Sequence, residues 1–296
     1  MRYVSAERTL LQIRPMRLLL TGAAGMLGHD VTAAATRAGH DVTPLTRQEL
    51  DVRDAHATRV AIAAARPHAV INCAAWTDVD GAEASEAAAT ELNGAAAGHV
   101  ATAAQQAGAF VVQVSSDYVF DGRASAPYTE SAATAPQSAY GRSKLAGEHA
   151  VATAAPGAHA IVRTAWLFGA NGGNFVATML RLADERDTLS VVDDQIGCPT
   201  FTGHLAQALV RIAEERLDGL RHVAGAGACS WYDLAAATFA ATGSDVALTR
   251  GRTADLARPA PRPAFSVLRS ERPDTPVLPP WEDGLHAYLE LGVPTP

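Results

Sequence analysis

The stretch that most constrains the fold is Leu18–Gly28, which reads Leu-Leu-Leu-Thr-Gly-Ala-Ala-Gly-Met-Leu-Gly. Arg17–Leu20 reads as a buried first strand, glycines follow at 22, 25 and 28, and from Met26 the pattern is helical until Ala38-Gly39. A strand, a glycine turn and a helix in this order open a doubly wound α/β sheet. A side chain in the turn would block the close approach of a pyrophosphate, and the last glycine lets the helix pack on the sheet. The helix head then offers free N–H groups and the positive end of a dipole. The spacing is Gly-x-x-Gly-x-x-Gly, not Gly-x-Gly-x-x-Gly, and such a turn also occurs in alanine-rich α/β proteins with no ligand. The flanking strand and helix favour dinucleotide binding, with Gly22, Ala24, Gly25, Met26 and Leu27 around the cofactor.

Other classes are excluded by composition. With 296 residues the chain can bury a substantial core. A formal charge of −7 argues against a general nucleic-acid or anionic-membrane binder. No apolar run approaches the roughly 20 residues of a membrane-spanning helix. Cys73, Cys198 and Cys229 lie far apart without metal spacing, which fits a reducing cytoplasm. Met1–Pro15, with Arg2, Glu7, Arg8 and Arg14, is expected to be a disordered extension or an upstream start, because Met16 stands directly before the first strand.

Further along, Asp41–Leu45 is expected to be a short second strand, with Pro44 awkward for a central position. Arg47 at its end suits a 2′-phosphate and tilts the cofactor toward NADPH; a solvated surface arginine is the alternative. Asp51 and Val52 either border the adenine, or Asp51 or Asp54 caps the next helix. Ala69–Cys73 is a buried strand ending in the small residues Cys73-Ala74-Ala75, which leave room for a ligand or simply pack closely. A long helix is expected over Glu83–Ala107. Phe110–Val114 is a strand followed by Ser115-Ser116-Asp117-Tyr118 at the edge where parallel sheets do chemistry. Tyr140 and Lys144 are four apart and share one helix face. An ammonium beside a phenol lowers its pKa from near 10, and a serine hydroxyl can hold a substrate oxygen beside it.

These marks together resemble the extended short-chain dehydrogenase/reductases, and within them the dTDP-4-dehydrorhamnose reductase family. The resemblance runs from Met16 to Leu291. It rests on Thr21–Gly28, Ser115–Gly122, Tyr140-Gly141-Arg142-Ser143-Lys144, Arg163-Thr164-Ala165-Trp166, Asn174-Phe175, Asp194–Thr200, Ser230-Trp231-Tyr232 and Arg262–Leu268. The Asp-Gln-x-Gly-x-Pro-Thr and Arg-Pro-x-x-Ser-x-Leu stretches are the most particular to that family. The resemblance implies Ser116, Tyr140 and Lys144 as the catalytic set, with Tyr140 and Lys144 also touching the cofactor. Asp117, Tyr118, Trp166 and Arg262 would face the sugar nucleotide, and Asn72, Ala74 and Ala75 the nicotinamide-side ribose. Some members bind magnesium at a dimer contact. Asp30 falls near one such position, but no carboxylate stands around Thr202-Gly203-His204, so no metal is expected.

The resulting expectation is a Rossmann-like doubly wound parallel sheet over 16–165, with a smaller interleaved substrate-binding lobe over 166–296 that returns some segments to the sheet. Trp231 and Trp281 are assigned to packing. The resemblance implies a cytoplasmic monomer or homodimer that uses NADPH (or NADH) to reduce the 4-keto group of a dTDP-4-dehydro-6-deoxyhexose, with dTDP-4-dehydro-L-rhamnose favoured. The alternatives are another nucleotide-sugar 4-ketoreductase, a regulatory subunit like the reductase-like partner of methionine adenosyltransferase, and an epimerase or dehydratase. Asp117 beside Ser116 suits the dehydratase, and the later reductase-type motifs weigh against it.

Overall fold

The computed structural model describes residues 15–292. The extension expected over Met1–Pro15 therefore lies, apart from Pro15, outside the described residues.

Six parallel strands form the central sheet: β1 (Arg17–Thr21), β2 (Asp41–Leu45), β3 (Ala69–Asn72), β4 (Phe110–Ser116), β5 (His159–Thr164) and β6 (Gly219–His222). Their spatial order is β6-β5-β4-β3-β1-β2. The Rossmann-like expectation holds. Leu18–Leu20, Ala69–Ile71 and Phe110–Val112 are buried, as the strands of a sheet covered on both faces should be. Pro44 is tolerated because β2 is the edge strand, where no further ladder needs its missing N–H. The chain goes outward from β1 to β2 and then returns past β1 to β3. That reversal opens a crevice at the carboxyl ends of β1 and β3, where such sheets bind ligands.

Helices Met26–Arg37 and Thr202–Glu215 cover one face, where Leu20, Val31, Leu209 and Ile212 share a core. Helices Ala55–Ala65, Ala96–Gln106 and Ala139–Ala154 cover the other, around Leu19, Ile62, Val100, Val111 and Val151.

The long helix expected over Glu83–Ala107 is a correction. It is broken into Val79–Ala84, Glu86–Thr90, a π-helical turn over Glu91–Ala95, and Ala96–Gln106. Ser85, at φ −139° and ψ 39°, interrupts the first part. The π turn carries Asn93 toward the loop after β3, and π turns are frequent at functional sites. There the backbones nearly touch, since a Cβ added at Gly147 would lie 2.1 Å from the Asn93 carbonyl oxygen.

After Thr164 the chain mixes helices with short ladders. Leu167–Phe168 pairs with Thr200–Phe201, Ile196–Gly197 with Cys229–Ser230, and Thr188–Val192 with Ala247–Gly251. Trp281 is buried among Phe168, Phe201 and Tyr288, as packing required. No described helix is long and apolar enough to cross a membrane.

Candidate active site

A cavity of about 760 Å³ occupies the crevice beyond β1 and β3. Its glycine end is built by steric necessity. Gly22 has φ +70°, and a Cβ there would lie 2.6 Å from the Ala74 nitrogen. A Cβ at Gly28 would lie 2.2 Å from the Gly22 carbonyl oxygen. The turn is thus drawn against the end of β3 while the helix sits on the turn. Gly25 is the N-cap and supplies no side-chain acceptor, and the first helical turn holds no acidic residue. Its N–H groups are left for an external anion, which fits the pyrophosphate of a dinucleotide.

At the far end of this groove the two readings of Asp51 separate. Asp54 is the cap of helix Ala55–Ala65 and accepts from the N–H groups of His56 and Ala57, each at 2.9 Å. Asp51 instead lines the cavity beside Arg47 and Val52. Its carboxylate is gripped by Arg53 at 2.9 and 2.5 Å, and that hydrogen-bonded pairing brings its pKa down to about 2. Arg47 is therefore left facing the groove while the nearby carboxylate is already paired.

The chemistry-bearing residues arrive from two elements. β4 ends at Ser116, whose Oγ accepts from the Tyr118 N–H at 3.2 Å and donates to Asp117 Oδ1 at 2.9 Å. Helix Ala139–Ala154, capped by Ser138 on the Gly141 N–H, brings Tyr140 and Lys144 to the same cavity. Tyr118 meets Tyr140 edge-on with ring centroids 5.5 Å apart. Asp117 is 2% exposed, and its Oδ2 has no hydrogen-bond partner. Burial pushes its carboxyl up to about 6, against the hydrogen bond from Ser116 and the nearby Ser266 hydroxyl.

The expected lowering of the Tyr140 phenol by Lys144 is absent from this arrangement. Burial pushes the phenol up to about 12, opposed by the Ser116 hydroxyl beside it. Lys144 Nζ is turned to the Val114 carbonyl at 2.7 Å. Burial brings that ammonium down to about 8, opposed by the charge of Glu148.

Gly22, Ala24, Gly25, Met26, Leu27, Arg47, Asp51, Val52, Asn72, Ala74 and Ala75 all line this cavity with Ser116, Asp117, Tyr118, Tyr140, Lys144 and Trp166. Arg262 does not. It lines a second, 250 Å³ cavity that shares Tyr118, and its guanidinium binds Asp80 at 2.8 Å and the Ala260 carbonyl at 3.0 Å. Asn72 reaches the cavity wall, but its amide is occupied within the sheet. It accepts from Thr21 Oγ1 at 2.5 Å and donates to Gln113 Oε1 at 2.7 Å. Trp231, assigned to packing alone, also lines the cavity, stacked on Trp166. Trp166 holds a left-handed backbone at φ 47°, a strain of order 1–3 kcal/mol for a bulky residue.

Asn93 was not found by the sequence reading. Its Oδ1 accepts from the Trp76 N–H at 2.8 Å, and its Nδ2 donates to Ser143 Oγ at 2.8 Å. Ser143 donates in turn to the Tyr140 carbonyl at 2.7 Å. The amide therefore ties the loop after β3 to the helix that presents Tyr140 and Lys144. An asparagine inside an alanine-rich helical pattern gave the only signal.

Asp30 accepts a hydrogen bond from Thr202 Oγ1. Among the described residues no group of three His, Cys, Asp or Glu side chains is spaced to hold a metal.

A crevice shaped for a dinucleotide and a Ser-Tyr-Lys set opening on one cavity place the chain among the short-chain dehydrogenase/reductases. The family model for the RmlD substrate binding domain matches residues 16–292. A dTDP-4-dehydrorhamnose reductase of Streptomyces griseus is 46% identical, over 86% of this chain and 86% of that protein. A dTDP-4-keto-6-deoxy-D-glucose reductase of Streptomyces niveus is 44% identical, over 85% of this chain and 88% of that one. The crystal structure of a Bacillus anthracis dTDP-4-dehydrorhamnose reductase in complex with NADP superposes with a TM-score of 0.91 at 35% identity, covering 94% of this chain and 99% of that one. The chain belongs to the dTDP-4-dehydrorhamnose reductase family and is an NAD(P)H-dependent oxidoreductase.

Proposed function

We propose that the protein reduces the 4-keto group of a dTDP-4-dehydro-6-deoxyhexose, with dTDP-4-dehydro-L-rhamnose as substrate and dTDP-L-rhamnose as product. The observation that carries this reading is the meeting of Ser116, Tyr140 and Lys144 in the cavity that the glycine turn opens. NADPH, when bound, would supply the hydride that the carbonyl carbon takes. Tyr140 gives its phenolic proton to the carbonyl oxygen, and Ser116 holds that oxygen by a hydrogen bond. Lys144, within reach of the same wall, leaves the Val114 carbonyl to hold the cofactor ribose and steady the phenolate. Gly22, Ala24, Gly25, Met26 and Leu27 hold the pyrophosphate, Arg47, Asp51 and Val52 the adenosine end, and Asn72, Ala74 and Ala75 the nicotinamide end. Asp117, Tyr118 and Trp166 face the sugar nucleotide, and Arg262 reaches it from the adjoining cavity past Tyr118.

We assign cofactor binding to residues 16–165 and substrate binding mainly to the chain from 166 onward. The protein works on a small molecule in the cytoplasm, as a monomer or homodimer, without nucleic acid or membrane. Its three free thiols support a reducing compartment. Another nucleotide-sugar 4-ketoreductase is the second reading, favoured by the 44% identity to a dTDP-4-keto-6-deoxy-D-glucose reductase.

The test is NADPH consumption with dTDP-4-dehydro-L-rhamnose generated in situ. Substrate-dependent consumption with dTDP-L-rhamnose as product supports the proposal. A folded protein that binds NADPH and turns over only dTDP-4-keto-6-deoxy-D-glucose would transfer the assignment to the second reading. Silence with both keto sugars overturns both.

A further inference from the structure

Both faces of the Trp166 indole are covered. On one side the Trp231 indole lies parallel to it, with centroids 3.5 Å apart and 4° between the planes. On the other lies Gly197. A Cβ built there would stand 2.4 Å from Trp166 Cε2 and 2.7 Å from both Cζ2 and Nε1. Nε1 and Cζ2 both lie farther from that point than Cε2 does, whereas a point outside Cε2 in the ring plane would lie nearer to them, so it stands above the ring and not beside its edge. It cannot share a side with Trp231, because the parallel ring would then supply its nearest atoms, and the three nearest all belong to Trp166.

Both jaws come from one ladder. Gly197 pairs with Cys229 and Ile196 with Ser230, and Trp231 follows directly in the chain. Trp231 is itself fixed, since its Nε1 donates to Gln195 Oε1 at 3.1 Å and Gln195 Nε2 donates to Thr253 Oγ1 at 2.8 Å. Trp166 is fixed through its backbone, where its carbonyl accepts from the Thr200 N–H at 3.1 Å. Both indoles nonetheless line the large cavity.

We propose that Trp231 and Gly197 are positioning residues that clamp Trp166 so that it meets the sugar nucleotide by its indole edge, its N–H donating to a sugar oxygen. The inference rests on the reductase reading above and specifies how the sugar is chosen. A stacking face would accept any sugar with an apolar side. A fixed N–H donor rejects sugars that place no acceptor opposite it.

Steady-state kinetics with NADPH and dTDP-4-dehydro-L-rhamnose test this on Trp231→Leu, Trp231→Phe and Trp166→Phe, together with circular dichroism in the indole bands. Trp231→Leu should abolish the excitonic signal of the stacked pair and raise KM for the keto sugar ~10-fold, the size of one lost hydrogen bond. Its kcat and NADPH affinity should stay at wild-type values. Trp231→Phe should recover most of the KM. Trp166→Phe keeps a ring but loses the N–H, and should raise KM as much as Trp231→Leu does. A wild-type KM in Trp166→Phe overturns edge-on recognition, and a wild-type KM in Trp231→Leu reduces Trp231 to packing. If Trp231→Leu does not fold, Trp231→Phe and Trp166→Phe decide between them. A wild type that binds NADPH but leaves the keto sugar untouched overturns the reductase reading, and with it the substrate named here. The excitonic signal needs no substrate and separates that outcome from failure of the clamp.

Discussion

Ser116 has a single proton, and in this structure it points at Asp117. Tyr140 lines the same cavity near Ser116 and carries a phenolic proton for a carbonyl oxygen held there. Tyr140→Phe should therefore lower turnover by ~10²–10⁴-fold, the usual contribution of a positioned acid, and leave NADPH affinity intact. Fluorescence titration with NADPH beside single-turnover kinetics checks both halves, and near-normal turnover would discard the assigned donor. Asp117 predicts a pH effect on stability. Its folded pKa of about 6 lies above the ordinary aspartate value, so the folded chain holds the proton more tightly than the unfolded chain does. Stability contributed by this group is then present at low pH and falls as pH rises through roughly 4 to 6, by about 3 kcal/mol in all. Asp117→Asn should melt higher than wild type at pH 8 and show no such advantage at pH 4. Equal melting differences at the two pH values would contradict the buried-acid account. Tyr140 and Lys144 were legible because a four-residue spacing fixes a shared helix face. The burial of Asp117 was not, because the Ser266 hydroxyl near it comes from 149 positions later in the chain.

Between elements, the cavity depends on contacts too close to admit a side chain. Gly28→Ala would drive a methyl into the Gly22 carbonyl and lift the helix off the turn. NADPH affinity should fall by at least ~10-fold, which calorimetric titration would measure, and unchanged affinity would show that the helix head is not the anion site. A buried ion pair joins the Tyr140 helix to the sheet. Glu148 takes Arg163 at 2.8 and 2.6 Å and also accepts from Ser115 Oγ at 2.6 Å, one residue before Ser116. Glu148→Gln leaves the Arg163 charge uncompensated and should cost about 3–5 kcal/mol in denaturant unfolding. Replacing Arg163 with Met as well should recover most of the loss, and a double variant as unstable as the single one would contradict that account. The glycine turn, the strands and most helices could be read from sequence because period and capping are local signals. The break over Glu83–Ala107 could not. Alanine supports a helix everywhere in that stretch, and the deviation arises where Asn93 meets partners from the loop after β3 and the Tyr140 helix. The place of Arg262 in the adjoining cavity was not legible for a similar reason. Its motif is local, but its partner Asp80 lies 182 residues earlier in the chain.

At the scale of the molecule, two halves of the chain are fastened beside the smaller cavity by the segment Arg258–Ala264. Asp80, in the helix just after β3, accepts from Arg258 Nη1 at 3.1 Å, the Ala260 N–H at 3.1 Å and Arg262 Nη2 at 2.8 Å. The residues that follow are held elsewhere. Phe265 N–H donates to the Gly122 carbonyl at 3.0 Å, Ser266 N–H to Ile196 at 2.8 Å and Arg269 N–H to Tyr128 at 2.9 Å. Asp80→Ala therefore removes the anchor of one part of the strap only. Partly exposed ion pairs contribute no more than about 1 kcal/mol each, so local opening should become ~10–100-fold easier while global stability barely changes. Hydrogen exchange should quicken at the Ala260 amide and stay unchanged at Phe265, Ser266 and Arg269. The segment 258–264 lines none of the large cavity, so under the proposed assignment NADPH affinity should not move. The KM for the keto sugar should, because Arg262 and Tyr118 form walls of the adjoining cavity. Uniform exchange across 258–269 would mean that the strap moves as one piece, and that Asp80 is a surface pairing that does not anchor it.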